Sequence, residues 1–321
     1  MSGFNTLLLG LAVMAVILFA LLLSMIVRRT RGQGGFEAPD LKRSPVAHDT
    51  EPAMPPMPVA EAVAPPPPYS AWRLVSRNIA NPDSAGGPLY RLRIEPEGGL
   101  PTWQAGTIAH VYCGPAEQVL EAPSTGMAPA GDYLVGSLPE DGAVNLVIRH
   151  REDSEESRSQ WLCRDLEPGQ QVAIALRENP GFAPPADEVP LILIGNATGL
   201  AGLQAHIKAR PAGTRNWLIF GDRNSADDDV LAAEIADWVS TGHLERCDLV
   251  FPGDGQEQRR IVDQMSDVSE PLLDWALAGA AIYVCGSTPM GNDVHAALCR
   301  LLGGEVVEAM AEGGVYRRSL H

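Results

Sequence analysis

The chain has 321 residues, 45% hydrophobic and 20% charged, a globular balance with length enough for two domains. Its formal charge of −16 excludes nucleic acid as a natural partner, because phosphate backbones require a basic face. The five cysteines (Cys113, Cys163, Cys247, Cys285 and Cys299) are odd in number and contain no C-x-x-C pair. They read as reduced thiols in a cytosolic setting, with no thiolate metal site.

From Leu7 to Val27 the sequence "LLLGLAVMAVILFALLLSMIV" carries no charge. At ~1.5 Å per residue in a helix it is long enough to span a hydrocarbon core of ~30 Å. No Lys or Arg precedes it, and Arg28, Arg29 and Arg31 follow. That is the pattern of a single-pass anchor rather than a cleaved leader, and the positive-inside rule places the rest of the chain in the cytoplasm, at the inner membrane. Residues 1–31 are therefore read as a transmembrane anchor. Residues 32–70, with "EPAMPPMPVAEAVAPPPPYS", are a Pro/Ala-rich disordered tether with too few large apolar side chains to build a core.

Residues 71–186 read as a β domain. "LYRLRIEP", "AGTIAHVYCG", "GDYLVGSLPEDGAVNLVIRH" and "QQVAIALREN" alternate in short strands with turns between them, the pattern of an antiparallel barrel or sandwich. From residue 187 to 321 the period changes. The apolar strands "LILIG", "NWLIFG", "CDLVFP" and "AAIYVCG" alternate with helical stretches, which calls for a parallel sheet covered on both faces. Ligands on such sheets sit at the carboxyl ends of the strands, and here three of those ends read "GNATG", "GDRN" and "CGSTP".

The loop Gly195-Asn196-Ala197-Thr198-Gly199 is neither the Walker pattern nor G-x-G-x-x-G. It is still a glycine turn leading into a helix whose first N–H groups favour an anion, with the Thr198 hydroxyl beside them. By itself it is equally the corner between a strand and a helix. No G-x-S-x-G elbow and no Walker lysine is present, which sets aside a generic hydrolase or kinase. The histidines are scattered without ligand spacing.

Taken together, "PLILIGNATGLAGLQAHIKAR", "NWLIFGDRN", "GAAIYVCGSTPMGNDVHAAL" and the terminal "GVYRRSLH" resemble the pyridine-nucleotide half of the ferredoxin–NADP reductase superfamily. They are nearest to the reductase part of the sulfite reductase flavoprotein subunit and other diflavin reductases, here without the flavodoxin domain. The resemblance spans about residues 71–321 and is stronger in the second half. It implies an FAD-binding β-barrel followed by an NAD(P)-binding α/β domain. Gly195, Thr198 and Gly199 match the family's G-x-x-T-G phosphate loop, and Arg223 matches an arginine near the cofactor phosphates, or is a surface residue. Cys285 and Gly286 match the family's C-G, whose thiol lies beside the nicotinamide, or Cys285 is a buried strand cysteine. Met290 and Asp293 match the next segment across a one-residue deletion.

On the flavin side Tyr133 keeps the family's aromatic and Ser159 its second-segment serine. Gly131 stands where the family has an arginine for the FAD pyrophosphate, Leu134 where it has a serine near the flavin N5, and Glu156 where it has a glycine. Arg151, Arg158 and Arg164 are the candidates to compensate. Ser319 and His321 occupy the places of the family's terminal acidic and aromatic residues. Arg259 and Arg260 either bind a 2′-phosphate or are solvated, so NADH and NADPH are both open. The resemblance implies a membrane-tethered flavin reductase that passes electrons from NAD(P)H through FAD to a separate acceptor, such as a membrane haem protein, a quinone or an iron chelate. The alternative is a diverged reductase-fold protein that has lost FAD and serves as a nucleotide sensor or assembly subunit.

Overall fold

A computed structural model describes residues 68–121, 129–150, 157–228, 230–251 and 259–321. In the first half several strands alternate buried with more exposed residues, while β6 (Gln171–Arg177) buries Val172 to Ala175 without a break. β1 (Ser70–Ile79) turns Trp72 and Leu74 inward. With β2 (Leu89–Pro96), β3 (Ile108–Tyr112), β4 (Ala130–Leu134), β5 (Val144–Arg149) and β6 (Gln171–Arg177) it forms an antiparallel sheet in the order β4-β3-β6-β1-β2-β5. β5 buries Val144, Leu146 and Ile148 and leaves the residues between them half-buried, as the period of a pleated strand requires. The two end strands meet just past β4, where the Gly136 N–H donates to Asn145 O at 2.8 Å, so the sheet curls towards a barrel. Two single-turn helices, α1 (Glu117–Leu120) and α2 (Ser157–Gln160), lie in its connections.

The second half is a parallel sheet of β7 (Leu191–Asn196), β8 (Asn216–Gly221), β9 (Arg246–Val250), β10 (Ala281–Gly286) and β11 (Tyr316–Leu320). β8 and β10 are buried along their whole length, which explains their unbroken apolar sequences. On one face lie α3 (Leu200–Ala209) and α5 (Ala232–Ser240), the latter reached through the short α4 (Ser225–Asp228). On the other lie α6 (Ile261–Asp267), α7 (Ser269–Leu277), α8 (Thr288–Leu302) and α9 (Gly304–Glu312). The strand order β11-β10-β7-β8-β9 shows that the chain builds outwards from β7 through β8 to β9 and then returns to the other side. The reversal between β7 and β10 makes a crevice at their carboxyl ends, the place where ligands of open α/β sheets bind.

The two sheets are bound to each other by polar contacts. Arg149 meets Asp222 at 3.1 Å, Asn81 Nδ2 donates to Asp228 at 2.6 Å, Arg91 pairs with Glu234 at 2.9 Å, and Gln204 Nε2 donates to Gly136 O at 2.6 Å. The buried Arg210 holds the connection between the halves through the carbonyls of Ala186, Asp187 and Val189.

The architecture corrects one part of the expected fold class, the N-terminal transmembrane helix. Among the described residues no helix is long and apolar enough to cross a membrane. The longest helix among the described residues, α8, has 15 residues, about 22 Å at ~1.5 Å each against a core of ~30 Å. It also carries Asn292, Asp293, His295 and Arg300, so it is a surface helix of the sheet. The apolar run 7–27 and most of the tether, to residue 67, lie outside the described residues.

One buried histidine gives the fold a pH dependence. His206 on α3 is fully buried and packs edge-on against Phe182 and Tyr283, its ring centre 5.1 Å from each. Burial, with the nearby cations Arg210 and Arg317, pushes its pKa down from 6.5 to about 3. The unfolded chain therefore binds a proton at mildly acidic pH that the folded chain refuses. The stability this represents is present above 6.5 and is lost as the pH falls towards 3, at about 1.4 kcal/mol per pH unit. Urea midpoints at pH 7, 6 and 5 are expected to show a shallower decline for His206→Gln than for the wild type. Identical slopes would mean that His206 titrates normally in the folded chain.

Candidate functional site

The carboxyl ends of β7, β8 and β10 open into one cleft of about 1060 Å³. Asn196 and Ala197 enter it after β7, Asp222 and Arg223 after β8, and Ser287, Met290 and Asp293 after β10. Arg259 and Arg260 form a further wall beside α6. Gly86, Arg149 and His150 come from the antiparallel sheet, so both halves of the molecule build the cleft.

Its innermost wall depends on three glycines. A Cβ on Gly195 would lie 2.5 Å from the carbonyl oxygen of Cys285, and one on Gly199 would lie 2.1 Å from it. A Cβ on Gly286 would lie 2.2 Å from Asn196 Oδ1, and Gly286 has φ +141°. Only hydrogen in these places lets the chain leaving β7 press against the chain leaving β10. Asn196 then ties the two ends together. Its Oδ1 accepts from Ser287 N–H at 2.9 Å, and its Nδ2 donates to Ser287 Oγ at 3.2 Å. Ala197 follows with φ +49°, the one positive φ on a non-glycine among the described residues, and turns the chain through residues 197–199 into α3. Such a backbone is held at a cost of about 1 kcal/mol or more by its surroundings, and strain of this kind gathers at ligand sites.

The end of the chain closes over this corner. Ser319 of β11 lies in register with Cys285, and His321 N–H donates to Gly286 O at 3.1 Å. The His321 carbonyl accepts from Thr288 N–H at 3.1 Å, and its Nε2 meets the Thr198 hydroxyl. Cys285 itself does not face the cleft. It is fully buried, and burial pushes its thiol pKa up to about 12. From the Cβ position of Gly202 on α3, its sulfur is 3.3 Å away and a Leu134 methyl 2.7 Å.

The predicted residues therefore fall into two groups. Arg223 and Met290 line the cleft, and Gly195, Gly199 and Gly286 shape its wall from behind; Thr198 meets His321 next to that wall, and Ser319 lies beside Cys285 in the sheet, none of the last three lining the cleft. Tyr133 and Ser159 lie apart on the antiparallel half, both half-buried, one on β4 and the other on α2. Arg151 and Glu156 lie outside the described residues.

Arg149, Asn196 and Asp222 line the cleft without having been singled out from the sequence, unlike Arg259, Arg260 and Asp293. Arg149 and Asp222 pair across the two halves with side chains only 11% and 5% exposed. Burial raises the Asp222 carboxyl pKa even against the Arg149 charge, with Asp228 adding to the rise. Arg260 Nη1 lies 3.3 Å from Asp293 Oδ2, and Arg259 pairs with Asp267. "GNATG" and "GDRN" held a signal for Asn196 and Asp222 as strand-end polar residues. Arg149 has none, because only the docking of the two halves brings it there. Four guanidinium groups around one cleft suit an anionic ligand.

A barrel-like sheet docked on a parallel sheet, with an arginine-lined cleft at the switch point, defines an α/β protein whose two halves share one ligand-sized cleft. No protein-family model matches the chain. Curated relatives do: the chain is 35% identical over 160 residues to the sulfite reductase [NADPH] flavoprotein alpha-component of Photobacterium profundum, 47% of this chain and 26% of that protein. To the protein of the same name from Bacillus subtilis it is 30% identical over 161 residues, 48% and 27% of the two chains. To that of Mannheimia succiniciproducens it is 31% identical over 186 residues, 54% and 31%. The chain thus spans about a quarter to a third of the length of these relatives. They bear out the resemblance to the ferredoxin–NADP reductase superfamily read from the sequence.

The glycine contacts yield a direct test. Gly199→Ala forces a methyl group into the Cys285 carbonyl and is expected to cost about 2 kcal/mol or more. Gly98→Ala, with nothing within 4 Å of the new Cβ, is the control and should be near neutral. Thermal unfolding checks both, and equal melting temperatures would show that the corner is loose.

Proposed function

We propose that this chain is the reductase module of an electron-transfer flavoprotein, binding NADPH and FAD and passing electrons to a partner outside these two domains. The observation that carries the reading is the cationic cleft at the β7/β10 switch point, walled by both halves of the molecule. The names of the relatives, NADPH-linked flavoproteins, support it.

The cleft fits a dinucleotide in size and charge. Its 1060 Å³ is at the upper end of small-molecule sites, and the strained Gly195–Gly199 corner leads into the first turn of α3, where N–H groups favour an anion. Arg223 is exposed at the end of β8, where it meets a phosphate without a rearrangement of the fold. Arg259 and Arg260 form the opposite wall and are the groups for a 2′-phosphate. The buried Arg149–Asp222 pair keeps the floor rigid, so binding need not order it. His321 covers the inner corner through Thr198 and must swing away for a nicotinamide to reach it.

On the antiparallel half, β4 offers Tyr133 as a half-buried aromatic face for a flavin, with Ser159 on α2. When bound, FAD supplies the acceptor for the hydride and the means to release electrons singly. The chain's own contribution is binding, orientation and the exclusion of water.

A second reading, a dinucleotide-binding protein without flavin, is favoured by one observation. Leu134 and Gly202 close over Cys285, where the family keeps a serine and an approach for the ring.

Spectra of the purified chain decide between them. Flavin bands that bleach on addition of NADPH are expected, and Arg223→Ala should weaken NADPH binding about tenfold, the loss of one charge-assisted hydrogen bond. A chain that binds NADPH yet stays colourless with excess FAD would sink the reductase reading and leave the second. Arg260→Ala should raise the apparent KM for NADPH about tenfold and leave that for NADH nearly unchanged. Equal effects on the two nucleotides would remove Arg260 from 2′-phosphate recognition.

A further inference from the structure

β4 presents Gly131 and Tyr133 on one face and Asp132 on the other, where it pairs with His110 and Arg177. The Tyr133 ring lies back over Gly131, so that a Cβ there would be 2.7 Å from its hydroxyl oxygen and from Cε2. Position 131 has no side chain, and any new one must first move this ring. The strand therefore offers an aromatic face with no cation of its own beside it.

A cation arrives from the facing helix instead. Arg158 on α2 extends to β4, where its Nη1 donates to the carbonyl of Ala130, the neighbour of Gly131, at 3.1 Å. The thiol of Cys113 lies in the same corner. Cys113, buried just past β3, has its thiol pKa raised to about 12 by burial, while the Arg158 charge and the Gly131 N–H both act to lower it. Arg158, Gly131 and Cys113 thus share one corner of the sheet, next to the Tyr133 ring. The adjacent Ser159, half-buried, belongs to the same turn. Arg164, by contrast, is committed elsewhere, over the Tyr90 ring at 5.6 Å.

We propose that Arg158, reaching β4 from α2, supplies the diphosphate-binding cation that Gly131 does not, so that the flavin dinucleotide is held by a helix-borne guanidinium with Ser159 beside it. This rests on the reductase reading given above. A guanidinium matches two phosphate oxygens at once from a fixed fork, which an ammonium does not. Charge brought from a helix also depends on α2 staying docked, so flavin binding and the docking of α2 stabilise each other.

The test is a titration of the flavin-free full chain with FAD and, separately, with riboflavin, which has no phosphate, followed by quenching of flavin fluorescence. Arg158→Ala is expected to weaken FAD about tenfold to a hundredfold and to leave riboflavin unchanged, with Arg158→Lys in between and Arg164→Ala without effect. Tight FAD binding by Arg158→Ala overturns the proposal and leaves the reductase reading standing. An equal loss for both ligands makes Arg158 a structural residue and also overturns it. A wild-type chain that fails to bind FAD removes the reductase reading and the proposal with it.

Discussion

The carbonyl oxygen of Cys285, with Gly195 and Gly199 pressed against it, is the constraint on which the rest of the molecule turns. Two parallel strands that run to opposite sides of a sheet normally diverge at their carboxyl ends. Here the missing side chains let the β7 exit lie on the β10 exit, and Asn196 joins them through both polar atoms of its amide. Widening either glycine would displace α3, which packs at once on the sheet and on Gly136 of the other half. The strained Ala197 is tolerated because its neighbours on both sides are fixed. The cleft is therefore a consequence of close packing behind it rather than of the residues that line it.

Its electrostatics follow from the same docking. The chain as a whole carries a formal charge of −16, yet Arg149, Arg223, Arg259 and Arg260 converge on one opening. Low-dielectric walls focus such a local field, which attracts an anionic ligand to a surface that otherwise repels it. Asp222 and Asp293 temper the field and fix the guanidinium groups in position. The Arg149–Asp222 pair is nearly dry, so its two partners are interdependent. Removing one leaves a buried charge at a cost of about 3 kcal/mol, far more than an exposed pair represents.

Most of this architecture is legible in the sequence because period reports burial. The alternating strands of the first half and the solid apolar strands of the second differ for one reason, a sheet with one core face against a sheet with two. The glycine loop after β7 and the strand-end arginine at the cleft are legible as well, since both stand at the carboxyl ends of apolar strands. Three features are not. Arg149 reaches the cleft only through the docking of the two halves, 73 residues along the chain from its partner Asp222. The burial of Cys285 depends on Leu134 and Gly202, which no local pattern connects. Arg158 sits in a segment whose family pattern offers serine and glycine, so its reach to Ala130 is a fact of three dimensions.

The last two of these lie along one path through the molecule. From Arg158 the path runs along β4 through Tyr133 to Leu134, and from Leu134 across Gly202 to Cys285 and the glycine corner. A chain that kept a serine at 134 would leave room and a hydrogen-bonding group at that joint. Leucine instead fills it with an apolar methyl group, adding buried contact between the two halves. The joint is thereby stronger as packing and narrower as a passage. Opening this joint requires Leu134 to change rotamer or α3 to shift, and the second is restrained by the Gln204–Gly136 bond at 2.6 Å. Position 134 thus bears on how the two halves hold together, whereas position 131 bears on the face of one strand. A cation can be delivered from another element, as Arg158 shows, whereas space at a packed interface can be opened only by moving the interface.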